Sequence, residues 1–319
     1  MYHLLTVYPP ARRLGKLPLS RDQLMLLMMA VNEIFLGIDA FTAHSMSGTM
    51  QPYEWIPVIF GPCAGLALLL AGLVALRRRP LATLVGTLTL AASVVVGLLG
   101  DFLHLQRTVL PNALPGQQIT VNLVVWAPPL LAPLVFCLVG LLGISAAWVE
   151  DPPDSGVLRL LGKGRLHLPY SKTQAYFFLI GLGCLATVVS SVLDHARTGF
   201  SNPWLWLPTA AGVFSTVAAC ALGAIERPTR SDLLTYAGAM LLMLAVGLIG
   251  FVLHVSFNLV DQGTVVVERF LRGAPFLAPL LYCNMGLLGL LVLLDPGEGQ
   301  TSGAEPSVAR ADPDSAAEP

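Results

Sequence analysis

The sequence predicts an all-α polytopic membrane protein with eight transmembrane helices, arranged as a tandem, parallel repeat of two four-helix units. Its composition is the first indication: 55% of the 319 residues are hydrophobic and only 12% are charged. A soluble domain carries about 25% charged residues, so this chain lacks the polar residues needed to cover a water-exposed surface. The mean hydropathy of +0.72 agrees with that interpretation.

Eight apolar segments are the second indication. A helix needs roughly 20 apolar residues to cross a hydrocarbon layer of ~30 Å. Runs of about this length occupy 22–44, 56–76, 81–105, 122–148, 172–195, 204–225, 232–257 and 270–294. We therefore expect eight spans.

Matched segments are the third indication. GLLGDFLH (Gly97–His104) returns 150 residues later as GLIGFVLH (Gly247–His254), and APLVFCLVGLLG (Ala132–Gly143) returns 146 residues later as APLLYCNMGLLG (Ala278–Gly289). Trp55 and Trp206 match at an offset of 151. Three matches in one order indicate a duplication, and an even number of spans per unit makes the two copies parallel.

These matches define the domain organisation. The first unit covers 22–148 and the second covers 172–295. The segment 149–171 is predicted to be a cytoplasmic linker rich in Pro and Gly, 1–21 a cytoplasmic N-terminal segment, and 296–319 a polar, disordered cytoplasmic tail.

The distribution of positive charge predicts the orientation. With the N-terminus in the cytoplasm, 14 of the 18 Lys and Arg residues fall on the inner side, as the positive-inside rule requires. Both termini are then cytoplasmic, and helix 1 serves as a signal anchor. Arginine outnumbers lysine 15 to 3, which indicates a GC-rich genome and favours a bacterial inner membrane.

Several functions have no sequence support. The five cysteines form no CxxC pair, and the chain contains no HExxH, Walker or GxSxG motif. Nothing indicates nucleic-acid binding. The enzyme question stays open, with a non-catalytic or redox subunit of a larger complex favoured over an enzyme.

The histidines are the main candidate ligands. His44, His104, His195 and His254 end predicted helices 1, 3, 5 and 7, so all four are expected at the outer face. Imidazole suits copper, iron and zinc, and two histidines from neighbouring helices could also hold haem b. The candidate cofactor is therefore a transition metal, copper or iron, or haem b.

Other residues extend this set in the first unit. Asp101 precedes His104 by three residues and shares its helix face, while Asp39 lies on the helix that ends at His44. Met46 adds a soft thioether ligand that would favour Cu(I). The predicted metal ligands are thus His44, His104, Asp39, Asp101 and Met46.

A proton route is predicted from Glu33 through Asp39 towards the outer site. Glu33 lies near the middle of helix 1, where a charged side chain costs at least ~2.5–3.5 kcal/mol, so it is a functional candidate. The second unit has Phe251 where the first has Asp101, and no acid matches Glu33. The first unit is therefore expected to be the active one.

Three functions remain open. The first is a metal- or haem-binding redox or electron-transfer subunit with its site near the outer face. The second is a transporter for a metal ion or small solute that uses the mid-membrane carboxylates. The third is a structural membrane subunit without a cofactor. The expected partners are the lipid bilayer and other membrane or periplasmic redox subunits.

Overall fold

The computed structural model describes residues 19–45, 50–109, 120–160, 164–259 and 265–294. Within them, six helices are long and apolar enough to cross a membrane, which indicates a multi-pass membrane protein. They are α1 (Arg21–Ser45), α2 (Trp55–Ala75), α3 (Arg79–Val109), α6 (Lys172–Ala196), α7 (Trp206–Ala224) and α8 (Arg230–Leu259). Single 3-10 turns, Pro52–Glu54 and Pro203–Leu205, precede α2 and α7. Residues 1–18 and 295–319, which include most of the predicted N-terminal segment and the whole predicted tail, lie outside the described residues.

The predicted fourth and eighth spans are not continuous helices. The first is divided into α4 (Val121–Trp126) and α5 (Leu134–Ala147), and the second into α9 (Val267–Arg272) and α10 (Leu280–Val292). The 14 residues of α5 extend only about 21 Å, less than the ~30 Å of a hydrocarbon layer. The segments 122–148 and 270–294 are therefore not single continuous helices, and the prediction of eight spans is not confirmed.

Proline explains both interruptions. Pro128, Pro129 and Pro133 follow α4, and Pro275 and Pro279 follow α9. Proline lacks the N–H that a helix interior needs, and it pushes the preceding residue out of the helical region. We call the two non-helical connections the first elbow (127–133) and the second elbow (273–279).

Three helices begin with side-chain caps of the same kind. Ser171 and Gln174 form a reciprocal capping box at the start of α6. Ser20 and Gln23 exchange the same pair of hydrogen bonds at the start of α1, and Thr229 and Asp232 do so at the start of α8. These caps satisfy backbone N–H groups that the first helical turn leaves without a partner.

The predicted linker 149–171 contains a small hairpin, which the all-α prediction missed. Strand β1 (Val157–Arg159) pairs in antiparallel fashion with β2 (Arg165–His167), in a register that places Val157 opposite His167. The Glu150 carboxylate fixes this segment because it accepts hydrogen bonds from the backbone N–H groups of Asp154, Gly156 and Lys172.

The long helices pack as two rings of four. Helices α1, α2, α3 and α5 contact one another in a closed ring, the first bundle, and α6, α7, α8 and α10 form the second bundle in the same way. The two bundles meet through α5 against α6 and α1 against α10. The core lies along these four inner helices and includes Met25, Met29, Leu138, Leu142, Tyr176, Ile180, Met285 and Leu288.

Close glycine contacts hold the helices of each bundle together. A Cβ atom added at Gly97 would lie 2.8 Å from the backbone nitrogen of Cys137, and one added at Gly247 would lie 2.5 Å from that of Cys283. Both distances are too short for a real Cβ atom, so the close approach of α3 to α5 and of α8 to α10 requires glycine at these positions.

We expect Gly97→Ala to destabilise the protein by about 1–3 kcal/mol, because the added methyl group overpacks the contact between α3 and α5. Gly72 is the matched control, since a Cβ added there meets nothing within 4 Å. Gly72→Ala should be neutral or stabilising by up to ~1 kcal/mol. Thermal unfolding in detergent measures both, and equal effects would contradict the close contact.

Candidate functional site

The structure brings two of the predicted histidines together. His44 lies in the last turn of α1 and His104 near the C-terminal end of α3. Their ring centroids are 6.0 Å apart and the rings are almost perpendicular, at 86°. Both side chains are half-buried. We call the end of the molecule that carries the four helix-end histidines the histidine end.

A hydrogen bond fixes the tautomer of His104. Its Nδ1 lies 2.9 Å from the carbonyl oxygen of Pro129 in the first elbow. Because a carbonyl only accepts, Nδ1 carries the hydrogen, and a neutral ring then has its lone pair on Nε2. His254 makes the matching contact in the second bundle, with Nδ1 3.0 Å from the carbonyl oxygen of Pro275. His104 and His254 thus donate hydrogen bonds to backbone carbonyl groups of the first and second elbows.

Glu54 belongs to this site, and sequence reasoning missed it. Its side chain is only 5% exposed, accepts a hydrogen bond from the Gln51 backbone N–H and pairs with Arg107 at 3.2 Å. Glu54, Arg107 and His104 all act electrostatically on His44. The sequence carried a weak signal for Glu54, since Gln51 and Glu54 have the spacing of a capping box beside Pro52.

The other predicted metal ligands are distributed unevenly. Asp101 is half-buried and interacts electrostatically with His104. Asp39 is exposed on the surface of α1, and Met46 lies outside the described residues. Among the described residues, no group of three or more His, Cys, Asp or Glu side chains is placed to hold a metal ion. The described part of this site therefore offers a pair of imidazoles and no complete ligand set.

His195 and His254 form the corresponding pair in the second bundle. They are close enough to interact electrostatically, and Asp194 also acts on His254. The Nδ1 atom of His195 lies 3.4 Å from the Ser191 hydroxyl, and its ring meets Phe200 edge-on at 6.1 Å. The described contacts thus join the four histidines as two pairs, one in each bundle.

Arg197 connects the second bundle to the first elbow. Its guanidinium donates to the carbonyl oxygens of Val125 at 2.8 Å and Ala127 at 3.0 Å, and it lies 3.8 Å from the Asp194 carboxylate. Arg197 therefore supplies donors for the carbonyl groups of Val125, in the last turn of α4, and Ala127, at the start of the first elbow.

Glu33, the first residue of the predicted proton route, is fully buried in the first bundle. The Ser93 hydroxyl lies 2.5 Å from Glu33 Oε1 and 3.0 Å from the carbonyl oxygen of Phe136. Asp39 is exposed and six residues further along α1, so the two carboxyls lie on different faces of the helix. Sequence reasoning missed Ser93, because a lone serine in an apolar helix gives little signal.

A network of buried charges lies at the opposite end of the molecule, where α1 and α6 begin. Lys172 is 2% exposed, and its ammonium group donates to Asp22 at 2.5 Å and to the Trp148 carbonyl at 2.7 Å. Arg21 is 1% exposed and donates to the Thr173 hydroxyl at 2.7 Å.

Further contacts complete this network. The Tyr176 hydroxyl donates to Asp22 at 3.1 Å, and the Arg21 guanidinium lies 5.2 Å from the centroid of the Tyr176 ring. The Thr173 hydroxyl donates to Asp154 in the hairpin segment at 2.6 Å. We call Arg21, Asp22, Asp154, Lys172, Thr173 and Tyr176 the inter-bundle network. The polar side chains of this network are paired with one another, which is typical of a contact that stabilises the packing of two units.

We expect Asp22→Asn to destabilise the protein by about 3–5 kcal/mol, because it leaves the buried Lys172 ammonium without its carboxylate. Glu268→Gln is the control, since Glu268 and Arg272 form a pair that is 63% and 65% exposed. That change should cost no more than ~0.5 kcal/mol. Unfolding in denaturing detergent measures the loss of stability in both variants. Equal losses would contradict a stabilising role of Asp22 in the inter-bundle network.

Comparison with protein-family models, with curated proteins and with solved structures found no match for this chain.

Proposed function

We propose that the protein binds a transition metal, copper or iron, at the histidine end of its first bundle and serves as a redox subunit in its membrane. The observation that carries this proposal is the pairing of His44 and His104, from two separate helices, at a ring-centroid distance of 6.0 Å.

The spacing of the rings suits a shared metal ion. With metal–nitrogen bonds of about 2.0–2.1 Å, two imidazoles on one ion have ring centroids roughly 5–6 Å apart. The hydrogen bond from His104 Nδ1 to the Pro129 carbonyl supports a ligand role for Nε2. Metal-binding histidines usually donate their other ring N–H to a backbone carbonyl or carboxylate, which orients the ring.

Two imidazoles leave coordination positions for other groups. Water or a ligand from a partner subunit would complete the coordination of a metal ion. Alternatively, the two imidazoles would serve as the axial ligands of haem b. Copper and iron both change oxidation state with imidazole ligands, so a site at the membrane boundary suits electron exchange with a membrane or periplasmic partner. The nearby Glu54 carboxylate would attract a bound cation, and its ion-pair partner Arg107 would offset part of that attraction.

Matched contacts support the tandem repeat as part of this proposal. Cys137 donates to the Val94 carbonyl and Cys283 to the Leu244 carbonyl, at 3.3 and 3.4 Å. The histidine contacts to the two elbows and the close approaches at Gly97 and Gly247 are paired in the same way. We infer two parallel copies of one unit, whose fourth span combines a short helix, an elbow and a longer helix.

The proposed orientation places the histidine end outside and the inter-bundle network in the cytoplasm of a bacterial cell. Trp55, Trp126, Trp204 and Trp206 support it, because they are 42%, 69%, 75% and 55% exposed near the histidine end, as expected for interfacial anchors.

Labelling with a membrane-impermeant maleimide tests this orientation. Ser201 and Ser231 are both exposed, the first between α6 and α7 and the second in the first turn of α8. Ser201→Cys should react in intact spheroplasts, whereas Ser231→Cys should react only after the membrane is permeabilised. The reverse pattern would show that the histidine end faces the cytoplasm.

Metal binding is tested by titrating the purified protein with copper(II), iron(II) and haemin separately, with optical spectra and elemental analysis as readouts. His104→Asn keeps an N–H donor for the Pro129 carbonyl but removes Nε2, so it separates the ligand role from the structural one. His104→Asn and His44→Ala should each weaken binding of the preferred species at least tenfold. His167→Ala, in exposed β2, is the control and should leave binding unchanged.

The outcomes separate the three candidate functions. Redox cycling of a bound ion with no uptake into liposomes supports the redox subunit. Metal accumulation inside liposomes, lost in His104→Asn, would favour transport instead. If neither metal nor haemin binds, or if both histidine variants bind as tightly as the unaltered protein, the metal proposal is wrong and a structural subunit is favoured.

A further inference from the structure

Three glutamates are buried among the described residues, and Glu33 differs from the other two. Glu54 and Glu150 are 5% and 9% exposed, and each is surrounded by N–H donors. Glu54 accepts from Arg107 and the Gln51 backbone, and Glu150 accepts from three backbone N–H groups. Such donors stabilise an ionised carboxylate. Glu33 is 0% exposed, and within the described residues its only hydrogen-bond partner is the Ser93 hydroxyl.

The Ser93 hydroxyl has two neighbours and a single hydrogen. The Phe136 carbonyl can only accept, so the 3.0 Å contact requires Ser93 to donate to it. The 2.5 Å contact between Ser93 Oγ and Glu33 Oε1 is then a hydrogen bond only if Glu33 supplies the hydrogen. A carboxylic acid satisfies both contacts at once, whereas a carboxylate leaves one of them without a hydrogen.

We propose that Glu33 is a proton-binding site that holds its proton in the resting protein, as a carboxylic acid that donates to Ser93. Ser93 donates in turn to the Phe136 carbonyl, so the proton completes a chain of hydrogen bonds across α1, α3 and α5. This inference does not depend on the metal proposal, because it rests on groups in the interior of the first bundle.

Among the residues that the structure describes, no cation is paired with Glu33. Helix α2, which approaches the Glu33 backbone at Gly61, has no charged residue, and neither does α5. The charged residues of α3 are Arg79, Asp101 and Arg107, which lie towards its ends. The titratable neighbour on α5 is Cys137, whose thiol donates to the Val94 carbonyl. An ionised Glu33 would therefore be a buried charge without a counterion, which is highly unfavourable.

The corresponding positions of the second bundle contain no acidic residue. At the offsets of the matched segments, Cys184, Met243 and Tyr282 correspond to Glu33, Ser93 and Phe136. All three are buried, at 0%, 0% and 4% exposed. Packing at this position therefore does not require an acid.

Loss of the proton to water would change the contact between α3 and α5. The single Ser93 hydrogen would turn from the Phe136 carbonyl to the new carboxylate, because a charged acceptor forms the stronger hydrogen bond. The α3–α5 contact would then lose the hydrogen bond from Ser93 to Phe136, while Glu33 would gain one from Ser93. Proton occupancy of Glu33 is thereby coupled to helix packing in the first bundle.

Infrared spectroscopy of the full-length protein in lipid nanodiscs tests the proposal. At neutral pH, the unaltered protein should show the C=O stretching band of a protonated carboxylic acid, and glutamate labelled with ¹³C at its side-chain carboxyl should shift that band. Glu33→Gln, which is nearly isosteric, should abolish the band. Glu268→Gln is the control, and it should leave the band in place because Glu268 is exposed and paired with Arg272.

Ser93→Ala provides a second, independent readout. It removes the acceptor of the Glu33 proton, so the band should persist and move to a higher frequency. This variant decides the question even if Glu33→Gln fails to fold. The proposal is overturned if the labelled protein shows no glutamic acid band at neutral pH, or if neither Glu33→Gln nor Ser93→Ala changes it.

Discussion

Two cations, Arg21 and Lys172, are buried where the two bundles meet, and their need for partners constrains the whole structure. Lys172 reaches Asp22, which lies 150 residues away in the sequence, and the hairpin segment supplies Asp154 to Thr173. A buried charge that loses its partner costs about 3–5 kcal/mol, so this end of the molecule tolerates few other arrangements of α1 against α6.

At the histidine end, the constraint is that the backbone carbonyl groups of the two elbows need hydrogen-bond donors. Each elbow interrupts a helix and exposes carbonyl groups that need donors. Arg197 and His104 supply them for the first elbow, and for the second His254 donates to Pro275 while Asn258 pairs with both backbone groups of Ala274. His104 therefore has a structural task for one ring nitrogen and leaves the other available. A structural role and a ligand role are compatible in one side chain.

Sequence reasoning predicted the long helices, but it missed the local proline breaks and the contacts between residues far apart in the chain. Apolar length and composition were enough to predict the six long helices, since a span is a property of consecutive residues. The elbows were missed because the spans were predicted from apolar length alone. Pro129 and Pro275 lie inside those apolar segments, and proline interrupts a helix even there. The partnership of Glu33 with Ser93, 60 residues apart, and the burial of Lys172 arise only from packing. No pattern of spacing along the chain encodes them.

The asymmetry between the bundles then has a physical interpretation. Both bundles keep the contacts that hold a four-helix ring together, such as those of Gly97 and Gly247 and the histidine bonds to the elbows. At the matched positions, the first bundle has Glu33 and Ser93 where the second has Cys184 and Met243. Buried polar groups lower stability unless they are paired, so burial of Glu33 in the first bundle depends on its hydrogen bond with Ser93. The second bundle contacts the first through α6 and α10.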